Sequence, residues 1–162
     1  MAKVVMTCGK ICSGKSTYAA KLCSELNGVI LSIDELTLAL FNNEAGDKLD
    51  MYVERARSYL YKQSVRLIRA GVNVVLDWGF WTEAEREYAK RFYDSEGIEH
   101  ELHYLSIDDE LWKKRIDGRN ALVSEGKTDA YYVDEGLMEK FASIFQEPED
   151  REINKIISQI GV

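Results

Sequence analysis

Residues Gly9-Lys10-Ile11-Cys12-Ser13-Gly14-Lys15-Ser16 constrain this chain more than any other stretch, because they fit the pattern G-x-x-x-x-G-K-[ST] at every defined position. The two glycines let the backbone wrap an anion, with successive amide N–H groups pointing inward. Lys15 is then placed to bridge the terminal phosphates of a nucleoside triphosphate, and Ser16 offers its hydroxyl to a magnesium ion. The helix beginning there, with Thr17 in its first turn, aims its positive end at the same phosphates. Lys3 to Cys8 is a short apolar run and Thr17 to Leu22 continues helically, so strand, loop and helix follow in the order the motif needs. Gly9, Cys12, Ser13, Gly14, Lys15, Ser16 and Thr17 are the expected nucleotide contacts.

Downstream, apolar runs alternate with helical patterns. Val29 to Ile33 reads as a second buried strand ending at Asp34, and Val72 to Asp77 as a third, also ending in an acid. Acids at the carboxyl ends of parallel strands lie on the edge where open α/β sheets bind ligands. Asp34 is therefore the candidate base, with a helix N-cap for Glu35 to Phe41 as the alternative. Asp77 is the candidate metal ligand, acting through water, and is counted with the acceptor contacts. A long helix is expected from about Asp47 to Ala70, with Arg55, Arg57, Lys62, Arg66 and Arg69 on its solvated side and Gly71 as its stop. Trp78 and Trp81 either floor an acceptor pocket or pack a helix onto the sheet. That helix opens with the capping box Thr82-Glu83-Ala84-Glu85, and its Arg86 either touches an anionic acceptor or sits on the surface. His100 to Ile107 reads as a fourth strand, and Asp108 as the cap of a helix carrying Arg115 and Arg119. Their i, i+4 spacing turns both to one side, where they clamp the migrating phosphoryl group and the nucleotide or else pair with surface acids. Asn120 to Val133 is polar and reads as a lid loop. Leu137 to Phe145 marks another amphipathic helix, and Glu152 to Val162 fits either a helix or an edge strand.

Four strands alternating with helices require a parallel sheet covered on both faces, a three-layer α/β/α domain spanning 1–162. The length of 162 residues suits one core of this kind. With 28 acidic against 21 basic residues and a net charge of -7, broad electrostatic binding to nucleic acid is disfavoured, although Trp78 and Trp81 permit base stacking. No stretch approaches a membrane span and none reads as a secretory signal, so the expected location is the cytoplasm. Cys8, Cys12 and Cys23 have no metal spacing and are expected as free thiols, with Cys12 either filling space in the phosphate loop or gating nucleotide entry. His100 and His103 lie on opposite faces of their strand and are expected at the surface.

With these pieces placed, Gly9 to Ser16, Asp34, Val74 to Asp77, and Arg115 with Arg119-Asn120 resemble the small P-loop kinases. That group includes chloramphenicol phosphotransferase, zeta toxins and the kinase domain of polynucleotide kinase, and such chains often carry an AAA-family ATPase label. The resemblance implies an adenylate-kinase-like fold with strand order 2-3-1-4, room for a fifth strand, and a lid over about 115–133. It implies ATP and Mg2+ as cofactors and phosphorylation of a hydroxyl on a small-molecule or nucleotide-like acceptor. It makes Asp34 the base and maps Arg115 and Arg119 onto the lid-helix arginines that stabilise the transferring phosphate, so that Lys15 and Arg115 are counted as catalytic and Arg119 also as a nucleotide contact. The segment through Glu147-Pro148 is implied to border the adenine. The sequence departs from the family where Ile11-Cys12 replaces the common Pro-Gly. Two other functions fit the same motif: a nucleic-acid 5′-hydroxyl kinase, and a non-enzymatic ATP-binding switch.

Overall fold

The computed structural model describes residues 1–42, 44–128 and 130–159. Apolar runs bounded by turn residues become five strands: β1 (Val4–Gly9), β2 (Val29–Leu31), β3 (Val74–Leu76), β4 (His100–Ile107) and β5 (Lys155–Gln159). Between them lie α1 (Lys15–Leu26), α2 (Ile33–Phe41), α3 (Leu49–Arg69), α4 (Glu83–Ser95), α5 (Asp109–Ser124) and α6 (Glu135–Ile144). All strand pairs are parallel, in the order β2-β3-β1-β4-β5. Every strand therefore delivers its carboxyl end to one edge, and the loop after β1 sits at the middle of that edge.

Period-two alternation sorts the core into two layers. Val4, Met6, Leu76, Leu102 and Tyr104 pack against α3 and α4 on one face, while Val5 and Val75 meet Ala19 and Leu22 of α1 on the other. Val4 and Val5 are 0% exposed, and burying each contributes about 1.5–3 kcal/mol. A third cluster, Ile107, Trp112, Ile116, Val133 and Phe141, joins α5 to α6 beside the phosphate loop.

Local signals set most boundaries. Asn27 adopts a left-handed conformation that ends α1, and Thr82 with Glu85 forms the capping box of α4. Asp108 caps α5 by accepting from Leu111 N–H at 2.8 Å. Several expectations are corrected. The cap of α2 is Ser32, which accepts from Glu35 N–H, so Asp34 lies inside the first turn and the N-cap reading is wrong. β2 is shorter than expected and only partly covered, with Val29 38% exposed, because the strand order puts it at the sheet margin. β3 is trimmed to Val74–Leu76, and a short 3-10 turn, Gly46–Lys48, precedes α3. α5 runs on to Ser124, so the irregular segment begins later than Asn120. Asn120 instead ties that segment down, bonding Val133 through both backbone groups at 2.7 and 2.8 Å. The undecided C-terminal stretch is strand β5 through Gln159, and residues 160–162 of it lie outside the described residues, as does Asn43 in the expected break after α2.

His103 is also not at the surface. β4 lies between β1 and β5, and α1 covers His103, which is 4% exposed. Its Nδ1 lies 2.8 Å from the Tyr18 hydroxyl and its Nε2 2.8 Å from Glu101. Burial lowers its pKa, opposed by the Glu101 carboxylate. His100, on the other face, packs against Tyr93. Among the described residues no helix is long and apolar enough to cross a membrane.

Candidate functional site

The loop after β1 is shaped by residues with no room or no choice. A Cβ on Gly9 would lie 2.8 Å from Ser13 Oγ and 2.9 Å from the Leu105 carbonyl oxygen, so a side chain there would displace backbone. Cys12 (φ 58°) and Gly14 (φ 89°) are left-handed, and for Cys12 that costs roughly 1–2 kcal/mol, which the surrounding packing must offset. This alternation builds a concave nest of amides opening onto the amino end of α1. Lys15 Nζ donates to the carbonyls of Gly9 at 3.1 Å and Lys10 at 2.7 Å, staying at the loop's rim. Burial lowers the Lys15 pKa, while Asp77, Cys8 and Asp34 pull it back up.

From outside, α5 and β5 grip the loop. Trp112 Nε1 donates to the Ile11 carbonyl at 2.7 Å. The Ser13 carbonyl accepts twice, from Arg115 Nη1 at 3.1 Å and from Gln159 Nε2 at 2.7 Å. Arg119 Nη1 donates to Cys12 Sγ at 3.3 Å. Lys10 Nζ pairs with Asp109 at 3.1 Å and lies 4.6 Å from the centre of the Trp112 ring. Trp112, Arg115 and Arg119 share one face of α5, so both arginines turn toward the loop and neither forms an ion pair with a surface acid among the described residues. Arg119 Nε is buried without a hydrogen-bond partner among the described residues. A buried donor left open costs about 1–3 kcal/mol, which an anionic ligand would recover.

On the acceptor side, Asp34 and Asp77 stand at the carboxyl ends of β2 and β3, where the Asp77 amide donates to the Leu31 carbonyl at 2.9 Å. Asp34 as a residue is exposed, yet its carboxyl lies among enough protein that desolvation, followed by the charge of Asp77, raises its pKa; Lys15 and Arg119 oppose the rise. Ser16 is exposed on the first turn of α1, and neither its hydroxyl nor the Asp77 carboxylate is spent on a hydrogen bond among the described residues. Hard oxygen donors beside an amide nest fit Mg2+, which keeps several waters and is completed by phosphate oxygens. The described residues contain no group of three or more His, Cys, Asp or Glu able to hold a metal by themselves.

Two expected acceptor contacts are corrected. Trp78 is 8% exposed and packs edge-on against Tyr61 and flat on Phe80, making it core. Arg86 is 4% exposed, neither on the surface nor in the acceptor cleft. Its Nε donates to Glu152 at 2.8 Å, and its Nη1 to the carbonyls of Gln146 at 2.8 Å and Phe80 at 3.1 Å. It fastens the strap after α6 to the loop after β3. Trp81 does stay beside the site, with Ile11 and Cys12, edge-on to Phe141 at 5.0 Å. A Cβ on Gly79 would fall 1.9 Å from its Nε1, so only glycine leaves the indole its place. Near the expected adenine border, Glu147 accepts from the Tyr104 hydroxyl at 2.8 Å. Cys8 lies under the loop, and burial pushes its thiol up to about 12.

Sequence reading missed Trp112 and Gln159. Trp112 falls three positions before Arg115 on the same helical face, a signal that was available. Gln159 gave none, since its place depends on β5 pairing with β4.

A parallel sheet in the order β2-β3-β1-β4-β5, with the phosphate loop between β1 and α1, defines a three-layer α/β/α P-loop NTPase fold. Within that class the chain belongs to the AAA domain family, whose model matches residues 4–148. No curated protein matches the chain in sequence. Solved structures share its fold. A Chloroflexus aurantiacus protein taken to be a kinase superposes with a TM-score of 0.74 at 14% identity, covering 98% of this chain and 85% of its own. The Mycobacterium tuberculosis APS kinase CysC, in complex with AMPPNP and APS, gives 0.68 at 19% identity, covering 97% and 88%. Chaetomium thermophilum Kti12, in complex with ADP-AlF3, gives 0.70 at 15% identity, covering 97% and 88%.

Proposed function

We propose that this chain is an ATP-dependent kinase that transfers the γ-phosphoryl group to a hydroxyl of a small-molecule acceptor. The observation that carries the reading is that Asp34 and Asp77, just past β2 and β3, lie on the same sheet edge as the phosphate loop, onto which Arg119 of α5 is bonded through Cys12. A carboxylate on that edge, with the charges of Lys15 and Arg119 acting on it, suits orienting a hydroxyl and taking its proton late in a loose transition state. Lys15 and the loop amides, including those of Cys12, Gly14, Ser16 and Thr17, hold the phosphates, while the Ser13 amide closes the loop on the Lys10 carbonyl at 3.1 Å. Ser16 and Asp77 would hold Mg2+, which when bound neutralises charge on the β- and γ-phosphates.

The two arginines of α5 divide the work between them. Arg119 reaches Asp34 electrostatically and has an open Nε, which suits the migrating phosphoryl group, whereas Arg115 lies over Gly14 beside Gln159, on the nucleotide side. Trp81 borders the acceptor. The segment between α5 and α6 serves as the lid. The burial of Trp78 removes one of the two stacking platforms a nucleic-acid acceptor would use, which favours the small molecule.

The test is transfer of label from γ-labelled ATP across nucleosides, sugars, sugar nucleotides, antibiotics and 5′-hydroxyl oligonucleotides. Asp34→Asn should lower turnover about 10²- to 10⁴-fold while AMPPNP affinity stays near that of the wild type. Equal losses in turnover and affinity would refute the role of Asp34, and tight ATP binding with no labelled acceptor would favour the switch.

A further inference from the structure

The phosphate loop binds through backbone N–H groups, so what matters is which way each peptide faces. In a trans peptide the carbonyl and the following N–H point in opposite directions, and the described chain has no cis peptide bond. The Ile11 carbonyl belongs to the same peptide as Cys12 N–H, and the Ser13 carbonyl to the same peptide as Gly14 N–H. Both carbonyls are held by side chains from outside the loop: Ile11 by Trp112 Nε1 at 2.7 Å, and Ser13 by Gln159 Nε2 at 2.7 Å together with Arg115 Nη1 at 3.1 Å. Each is followed by a left-handed residue, Cys12 at φ 58° and Gly14 at φ 89°. A peptide beside a left-handed residue can rotate at modest cost, and a rotated one would aim its carbonyl oxygen at the phosphates.

We propose that Trp112 and Gln159 are positioning residues of the phosphate loop: by holding the Ile11 and Ser13 carbonyls outward, they turn the Cys12 and Gly14 amides inward before any nucleotide arrives. The inference rests on the triphosphate reading of the loop and not on the identity of the acceptor. The ordering cost of the nest is thereby met by the fold instead of by ligand binding. In this reading the two side chains act on the Ile11 and Ser13 carbonyls, and the amides of the same peptides act on the phosphates. Trp112 is well placed for this because its ring packs against Lys10 at 4.6 Å and Phe141 at 5.9 Å, and is 9% exposed. The Gln159 amide has one orientation, since only its NH2 group can donate to a carbonyl oxygen.

The experiment measures the dissociation constants of AMPPNP and of inorganic tripolyphosphate, by calorimetry with Mg2+, on the full chain and on Trp112→Phe and Gln159→Leu. Phe keeps the aromatic packing and removes only the donor; Leu on the marginal strand β5 spares the core, so at least one variant remains foldable. Trp112→Phe should weaken both ligands about 5- to 20-fold, and Gln159→Leu about 3-fold because Arg115 still holds the Ser13 carbonyl. In amide NMR spectra, the shifts of Cys12 and Gly14 on adding tripolyphosphate should shrink in the matching variant. Unchanged affinities would overturn the proposal. So would a lower melting temperature with wild-type affinity, which marks a merely structural role, or a loss for AMPPNP alone, which marks a contact to the base. Failure of the wild type to bind tripolyphosphate would overturn it as well. Binding with these losses but no phosphoryl transfer to any acceptor would sink the kinase reading and leave this inference standing.

Discussion

Arg86→Met tests how the strap after α6 is held. The guanidinium is 4% exposed and donates to both Glu152 oxygens, at 2.8 and 3.3 Å, and to the Gln146 and Phe80 carbonyls at 2.8 and 3.1 Å. Met fills similar volume but leaves the Glu152 carboxylate, on a residue with 15% side-chain exposure, without its cation, and leaves Gln146 without this donor. Removing one member of a buried pair costs about 3–5 kcal/mol. For a chain of this size each kcal/mol lowers the melting temperature by about 2–4 °C, so a fall of roughly 6–20 °C is expected. The pH dependence carries the sharper signature. Burial alone would raise the Glu152 pKa, but Arg86 and the Glu149 amide outweigh it and hold the carboxyl below its ordinary value. A depressed carboxylate adds stability that is fully present above the unfolded-state pKa and is lost as pH falls through the folded-state pKa. In the variant the carboxylate keeps the Glu149 amide and the charge of Arg151 but loses Arg86, so it takes up a proton at higher pH than in the wild type, and the gap should be widest near neutrality and narrow as pH falls toward about 4.3. Urea denaturation of both proteins across that range measures it. A cost under about 1 kcal/mol, as for a surface pair, or a gap independent of pH, would refute the argument.

Two further outcomes follow from the site. Asp34 has its pKa raised by desolvation and by Asp77 and lowered by Lys15 and Arg119, so Arg119→Gln should move the Asp34 carboxyl titration to higher pH, read by carbon NMR on the nucleotide-free protein; a shift downward would remove Arg119 from the acceptor side. Among the thiols, Cys8 is buried with its pKa pushed up to about 12, so iodoacetamide at neutral pH should leave it unlabelled while reaching Cys12, and AMPPNP should protect Cys12. Labelling of Cys12 at the same rate with and without AMPPNP would place that thiol outside the nucleotide's reach.

The features the sequence determined are those set by neighbours in the chain. The phosphate loop is read from eight consecutive positions, Gly9 to Ser16, because glycine placement and the strand-to-helix junction are local properties. Alternating apolar runs and helical patterns force parallel crossovers, and hence one functional edge with Asp34 and Asp77 on it. Arg115 and Arg119 are aligned by helical periodicity alone. Tertiary structure decided whatever depends on what covers a residue. Period-two spacing separates the faces of His100 and His103, but only α1 against β4 buries His103. Trp78 and Trp81 look alike in sequence, yet Tyr61 of α3 takes the first into the core while Gly79 leaves the second beside the loop. Arg86 meets Glu152 across 66 positions, and Gln159 reaches Ser13 across 146. Separations of that size leave no periodic trace, because hydrogen bonds between distant segments are selected by packing geometry, which exists only once the sheet has formed.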